Sequence, residues 1–276
     1  MTGFSHIDRL IEMALFEDLR ASGDVTADAI FRNENFSYRL VAKESGILCG
    51  IDIFTRVMLT VDPRIELSCS YRDRDSVKKG DIIADVSGPV KSVLKAERTA
   101  LNLLSHLSGI ATRTSLFVAE TGGRCVILDT RKTLPGYREI QKYAVRCGGG
   151  SNHRMGLYDM VMINDNHSDA AGGIAAAVAK IRSVYGSTFR VEVEVRNTEE
   201  VMQAVEAGAD RIMLDNMSTA EMKKSVNLIA HRAETEASGN MTLERIGEVS
   251  MTGVDYISVG ELTHSVRAFD FSLKAC

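Results

Sequence analysis

The second half of this chain repeats one unit, a short apolar β run followed by an amphipathic helix. The β runs are RCVILDT (124–130), MVMIND (160–165), FRVEVEV (189–195), RIMLDN (211–216), ETEAS (234–238) and YISVG (256–260). Helices are predicted between them from Ile174/Ala177/Val178/Ile181, Val201/Ala204/Val205, Met222/Val226/Ile229 and Leu243/Ile246/Val249. Alternation of this kind builds a parallel sheet, because each crossover helix returns the chain to the end where the next strand must start. Six or seven units, with no GxGxxG after the first run, favour a barrel over an open dinucleotide-binding sheet.

The first hundred residues read differently. Residues 5–20 carry a helical rhythm in Ile7, Leu10, Ile11, Ala14 and Leu15. Tyr38, Leu40 and Ala42 alternate with Arg39, Val41 and Lys43 as in a strand, and residues 77–94 read as short β elements joined by Gly turns. From Lys95 to about Glu120 the spacing of Ala100, Leu104, Leu107 and Ala111 predicts a long helix, ended by Gly122-Gly123. The expected organisation is α/β in two domains: a sandwich-like α/β domain over 1–110 and a barrel over 111–265.

Composition narrows the function. With 276 residues, 45% hydrophobic and 25% charged, the chain has the makeup of an ordinary globular protein. A net charge of -4 argues against nucleic acid or an anionic membrane as partner. No apolar run approaches the roughly 18 residues of a membrane helix, and the acidic N-terminal stretch does not read as an export signal. Five scattered cysteines with no CxxC pair point away from a disulfide framework or a thiolate zinc site, and towards a reducing cytoplasm.

In a β/α barrel the C-terminal ends of the strands carry the active site. Here those ends hold Asp129 and Arg131, then Asn164, Asp165 and His167, then Glu194, Asp215 and Asn216, then Ser238-Gly239-Asn240, then Gly260 and Glu261. Any one of these would serve as a helix cap; polar groups arriving strand after strand read as a site. Arg131, Lys132, His153 and Arg154 flank strand ends and suit a ligand with several negative charges, since the arginine fork donates paired hydrogen bonds to carboxylate or phosphate. Arg138, Lys142 and Arg146 are read as the solvated face of a helix over 137–146. Glu194 and Asp215 end consecutive strands and could hold Mg²⁺ or ribose hydroxyls. Ser238, Gly239 and Gly260 offer a hydroxyl and backbone N–H groups to a phosphate. Gly148-Gly149-Gly150-Ser151 is not a P-loop, His153 and His167 lack a third zinc partner at metal spacing, and His106 and His231 are read as structural or solvated helix residues.

The stretches ERTALNLLSHLSGIAT (97–112), DTRKTLPGYREIQKYAVRCGGGSNHRMGLYD (129–159), DNH (165–167), VEVEV (191–195), LDN (214–216), EASGN (236–240) and GVDYISVGELTHS (253–265) closely resemble the quinolinate phosphoribosyltransferase family. The resemblance spans nearly the whole chain. It implies an N-terminal α/β domain, an incomplete barrel of about seven strands, and a tail, 266–276, returning to the first domain. It also implies homodimers, or hexamers of dimers, with Arg98 lent to the neighbouring site. Arg131, His153 and Arg154 would bind the quinolinate carboxylates, with Lys132 near the reacting groups. Glu194 and Asp215 would face the ribose and Mg²⁺; Ser238, Gly239 and Gly260 would hold the 5-phosphate, with His264 close by.

One departure stands out. The family usually has a lysine directly before DNH, where this chain has Asn164. The expected reaction is a Mg²⁺-dependent transfer from 5-phosphoribosyl 1-pyrophosphate to quinolinate with decarboxylation, a pentosyltransferase step of NAD biosynthesis. The alternatives are a phosphoribosyltransferase for another carboxylated heterocycle, or a low-activity or non-catalytic relative marked by Asn164.

Overall fold

The computed structural model describes residue 4 and residues 6–276. The first half holds α1 (Ile7–Leu19), α2 (Val25–Ile30), β1 (Asn35–Ala42), β2 (Gly46–Ile47), α3 (Ile51–Val61), β3 (Glu66–Cys69), β4 (Ser76–Val77), β5 (Ile82–Pro89) and α4 (Val90–Glu120). Then come β6 (Val126–Leu128), α5 (Arg138–Cys147), β7 (Val161–Ile163), α6 (Asp165–Ala171), α7 (Ile174–Tyr185), β8 (Val191–Val195) and α8 (Thr198–Glu206). The chain finishes with β9 (Arg211–Asp215), α9 (Thr219–Ile229), β10 (Glu234–Ser238), α10 (Leu243–Ser250), β11 (Tyr256–Ser258), α11 (Glu261–His264) and β12 (Phe271–Ala275). The helix expected from residue 5 is seen from Ile7, and Ser5 lies outside the described residues.

Two compact units result. One comprises 1–113, 134–149 and 266–276; the other comprises 114–133 and 150–265. The first unit is built on a four-stranded antiparallel sheet in the order β12-β1-β5-β3. Along β1, Tyr38, Leu40 and Ala42 are buried while Arg39 is exposed, the period-2 signature of a half-buried strand. Buried Ala100, Leu104, Leu107 and Ala111 mark one face of α4. The tail crosses that helix closely: Phe269 N–H donates to the Ser105 carbonyl, and a Cβ at Gly109 would stand 2.2 Å from the Arg267 oxygen. Only glycine fits there. Lys142 corrects the sequence reading, because it is fully buried within α5 and is no part of a solvated face.

The second unit is a six-stranded parallel sheet in the order β6-β11-β10-β9-β8-β7. It is an open barrel: β6 and β7, which would close it, do not pair. A parallel bridge between Leu128 and Ser151 adds to the β6 edge, and the sheet has six strands against the about seven that the resemblance implies. The face of the strands turned to the helices is apolar. Val191, Val193, Val195, Ile212, Leu214 and Ala237 are fully buried, as are Val201, Met222, Ile229, Ile246 and Val249 on the helices. Each Val, Ile or Leu so placed contributes ~1.5–3 kcal/mol over exposure, which is what holds helices to sheet.

Candidate functional site

The other face of those strands carries charge. Residues at alternate positions share a face, so Glu192 with Glu194, Arg211 with Asp215, and Glu234, Glu236 and Ser238 form rows on the side away from the valines. Burying such groups costs several kcal/mol per ion unless they are paired. Arg211 does the pairing at the deep end: it approaches Glu234 at 3.0 Å and Glu236 at 3.2 Å, and its guanidinium lies 4.0 Å from the Tyr256 ring centre.

Above this lies His153. Its Nδ1 accepts the Arg154 N–H at 2.8 Å, which places the ring proton on Nε2. Nε2 faces Glu192 at 2.9 Å and Glu236 at 3.5 Å, at ion-pair distance but off the direction of a good hydrogen bond. Both glutamates are fully buried. Burial, eased by Arg211, raises the Glu192 carboxyl to about 7; burial and then the Glu192 charge raise Glu236 to about 8. Burial and mutual repulsion thus favour the protonated form of this carboxyl pair. Buried Asp129 fixes the segment from the other side, accepting the His153 N–H at 2.9 Å and the Asn152 amide at 2.5 Å.

At the C-terminal ends of the strands the rows open into a cavity of about 520 Å³. Arg131, Lys132, His153, Arg154, Glu194, Asp215, Ser238 and Gly239 all line it, joined by Thr130, Asn216, Glu236, Asn240 and Ser258. Two guanidinium groups meet on it: burial, and then the neighbouring Arg131 charge, lower the Arg154 pKa. Carboxylates gather on it too. Burial, then Asp215 and Asp165, raise Glu194 to about 7, with Arg196 and Lys132 opposing. Lys132 is positioned through its backbone, its N–H donating to Thr130 Oγ1 and its carbonyl accepting from Thr263 Oγ1 at 2.9 Å. Gly239 has φ 92°, and a Cβ there would stand 2.2 Å from Asn216 Oδ1, so glycine is required at that strand end.

Other predicted residues fall elsewhere. Asn164 does not line the cavity; its side chain caps α6, accepting the His167 N–H, while His167 Nδ1 accepts the Asn164 N–H. Gly260 and His264 are not among the lining residues; a Cβ on Gly260 would be 3.1 Å from His264 Nε2 and 3.3 Å from the lining residue Lys132 at Cδ. Arg98, in the first unit, lines a separate hollow with Glu17, Asp18, Asn102, His106 and Tyr137. His106 is on α4 and pairs with the Gln141 amide at 2.8 Å, whereas His231 is exposed in the turn after α9 and not on a helix. Glu192 and Glu236 escape a reading confined to strand ends. The alternation within VEVEV and ETEAS was the available signal.

An open α/β barrel bearing arginines and carboxylates at its strand ends, preceded by a small antiparallel domain, is the architecture of a phosphoribosyltransferase. Residues 24–108 match the family model of the quinolinate phosphoribosyl transferase N-terminal domain, and residues 110–274 match that of its C-terminal domain. The chain belongs to the quinolinate phosphoribosyltransferase family. It is 41% identical over 273 residues to a probable nicotinate-nucleotide pyrophosphorylase (carboxylating) of Bacillus subtilis, covering 97% of this chain and 92% of that one. It is 45% identical over 285 residues to the chloroplastic nicotinate-nucleotide pyrophosphorylase (carboxylating) of Arabidopsis thaliana, covering 96% and 81%. The crystal structure of NadC from Streptococcus pyogenes superposes with a TM-score of 0.95 at 40% identity, covering 99% of this chain and 98% of that one.

Proposed function

We propose that this chain transfers phosphoribosyl from 5-phosphoribosyl 1-pyrophosphate to quinolinate and releases CO₂, giving nicotinate mononucleotide and pyrophosphate. The observation that carries this reading is the meeting of Arg131 and Arg154 with Glu194 and Asp215 in one cavity. A pyridine dicarboxylate needs donors to two planar acid groups, which paired guanidinium forks supply. Holding both acids selects the diacid over nicotinate and fixes the ring nitrogen towards the ribose. As pyrophosphate leaves, the ribosyl carbon becomes cationic, and the carboxylates of Glu194 and Asp215 stabilise that charge without reorganising. Lys132 brings an ammonium to the reacting groups. Once ribosylated, the ring nitrogen is cationic and accepts the electron pair that the departing CO₂ leaves behind. Ser238, Gly239 and Gly260, with His264 nearby, receive the 5-phosphate.

Mg²⁺ fits the donor set. Glu194 and Asp215 offer hard oxygen ligands, and a cation there would relieve the repulsion that adds to burial in raising Glu194. When bound, Mg²⁺ would neutralise charge on the pyrophosphate. His153 acts through its neighbours in this reading, since both ring nitrogens are directed to protein groups. We also propose a homodimer, or a hexamer of dimers, in which Arg98 reaches the neighbouring site; its exposed side chain on α4 supports that. Five free cysteines suit a reducing cytoplasm.

The test is release of CO₂ and pyrophosphate in the presence of Mg²⁺, with quinolinate and nicotinate compared as acceptors. Turnover of the diacid alone is the expected result. Turnover of nicotinate in preference, or of neither acid, would overturn the assignment in favour of another heterocycle or a non-catalytic relative.

A further inference from the structure

Away from the strand-end cavity, two cysteines distant in sequence meet inside the first unit. Cys49 precedes α3 and Cys147 ends α5; their sulfurs and a carboxylate oxygen of Asp73 lie within 4.8 Å of one another. Cys49 is fully buried and Cys147 is 6% exposed. Hydrogen bonds frame them. The Cys49 N–H donates to Ser108 Oγ at 3.0 Å, and the Ser108 hydroxyl donates back to the Cys49 carbonyl. Asp73 accepts from the Gly50 and Ile51 N–H groups and, at 2.8 Å, from the Tyr143 hydroxyl one turn before Cys147.

Such a pair can serve a thiophilic metal or form a disulfide. A structural zinc site is four-coordinate, and three ligating groups gather here, one of them a carboxylate already accepting three hydrogen bonds. The positive charge of Arg74 acts on both thiols and so opposes a bound cation beside them. That same charge favours a thiolate. The Cys147 thiol is held below its ordinary range, first by the hydrogen bond from Cys49 and then by Tyr143 and Arg74, while burial pushes the Cys49 thiol up. Two thiols side by side, one ionising more readily than the other, are the arrangement in which one sulfur reacts and the other resolves.

We propose that Cys49 and Cys147 form a redox-modification site that closes to a disulfide when a small hydroperoxide oxidises Cys147. The Cys147 thiolate attacks one peroxide oxygen and becomes a sulfenic acid; the other oxygen leaves and is protonated to water or an alcohol. The Cys49 sulfur then attacks the Cys147 sulfur, and the sulfenic oxygen departs as water with the Cys49 proton. Two electrons pass from the sulfurs to the peroxide. The product ties the segment entering α3 to the end of α5.

The experiment treats the whole protein with hydrogen peroxide, alkylates it under denaturing conditions and maps its peptides by mass spectrometry. The expected result is a Cys49 peptide joined to a Cys147 peptide, lighter by two hydrogens and separated again by a dithiol reductant. In Cys49→Ala the reaction should stop at a Cys147 sulfenic acid captured by dimedone; if that variant fails to fold, the wild-type map still decides. Oxidation confined to the other cysteines, with Cys49 and Cys147 both alkylated, would overturn the proposal. So would one bound Zn²⁺ per chain that shields both thiols from peroxide.

Discussion

Replacing Asn164 by lysine sets stability against activity. Asn164 accepts the His167 N–H at 3.2 Å and gives its own N–H to His167 Nδ1 at 3.3 Å, so the substitution removes the side-chain half of a capping box on a seven-residue helix. Loss of an N-cap costs about 1 kcal/mol, which lowers Tm by roughly 2–4 °C for a domain of this size. The ammonium, in return, adds a positive charge beside Asp165, whose carboxylate already acts on Glu194 in the cavity. A hydrogen bond to a charged group contributes ~1.5–3 kcal/mol, so kcat/KM for quinolinate should rise roughly tenfold to a hundredfold. Thermal unfolding and steady-state kinetics at saturating phosphoribosyl pyrophosphate read the two effects separately. Asn164→Asp is the control, because it keeps the cap and brings the wrong charge; it should hold Tm and lose activity. A lysine variant with unchanged Tm would refute the cap argument. One with unchanged or lower kcat/KM would refute the view that charge at this position reaches the substrates.

Other expectations follow from the same geometry. Arg131→Ala or Arg154→Ala should raise KM for quinolinate roughly tenfold or more while changing KM for phosphoribosyl pyrophosphate less, and equal losses for both substrates would count against the carboxylate assignment. Arg211→Met removes the guanidinium that pairs with Glu234 and buried Glu236 and should destabilise the fold in denaturant unfolding by about 3–5 kcal/mol above about pH 8, where Glu236 is ionised, and by less at pH 6. Glu192, Glu194 and Glu236 bind protons more tightly in the folded than in the unfolded chain, so the stability they contribute is present at acid pH, below 4.5, and is lost as pH rises through about 7 to 8. Melting of the ligand-free protein should therefore show Tm falling from about pH 5 to about pH 8, with Glu236→Gln flattening the upper part; a rise over that range would contradict the buried carboxyl pair.

Much of this was legible in the residues themselves. The barrel strands follow from apolar runs spaced by amphipathic helices, and Glu194 and Asp215 declare themselves by ending two of those runs. Lys142 escapes a local reading because a basic residue on a short helix is ordinarily solvated, and only long-range packing shows that this one is buried. The same holds for segment 134–149, whose place in the first unit has no local signature. Glu192 and Glu236 lie below the strand ends, so they emerge only when alternation along each strand is followed inwards. Cys49 and Cys147 lack the short spacing by which thiol pairs are recognised; the fold alone makes them neighbours.

The pairing of β12 with β1 bears on how the molecule is made. Tyr38 lies opposite Ala275, so the strand that finishes the first sheet emerges from the ribosome only after the whole barrel unit has been synthesised. Until then β1 is an edge strand with its hydrogen-bonding groups open to other chains. Such distant pairing also slows folding, since a long loop must close before the contact rewards it. A fragment ending near residue 110 would lack both β12 and α5, and should be recovered as an aggregate rather than as a small folded domain.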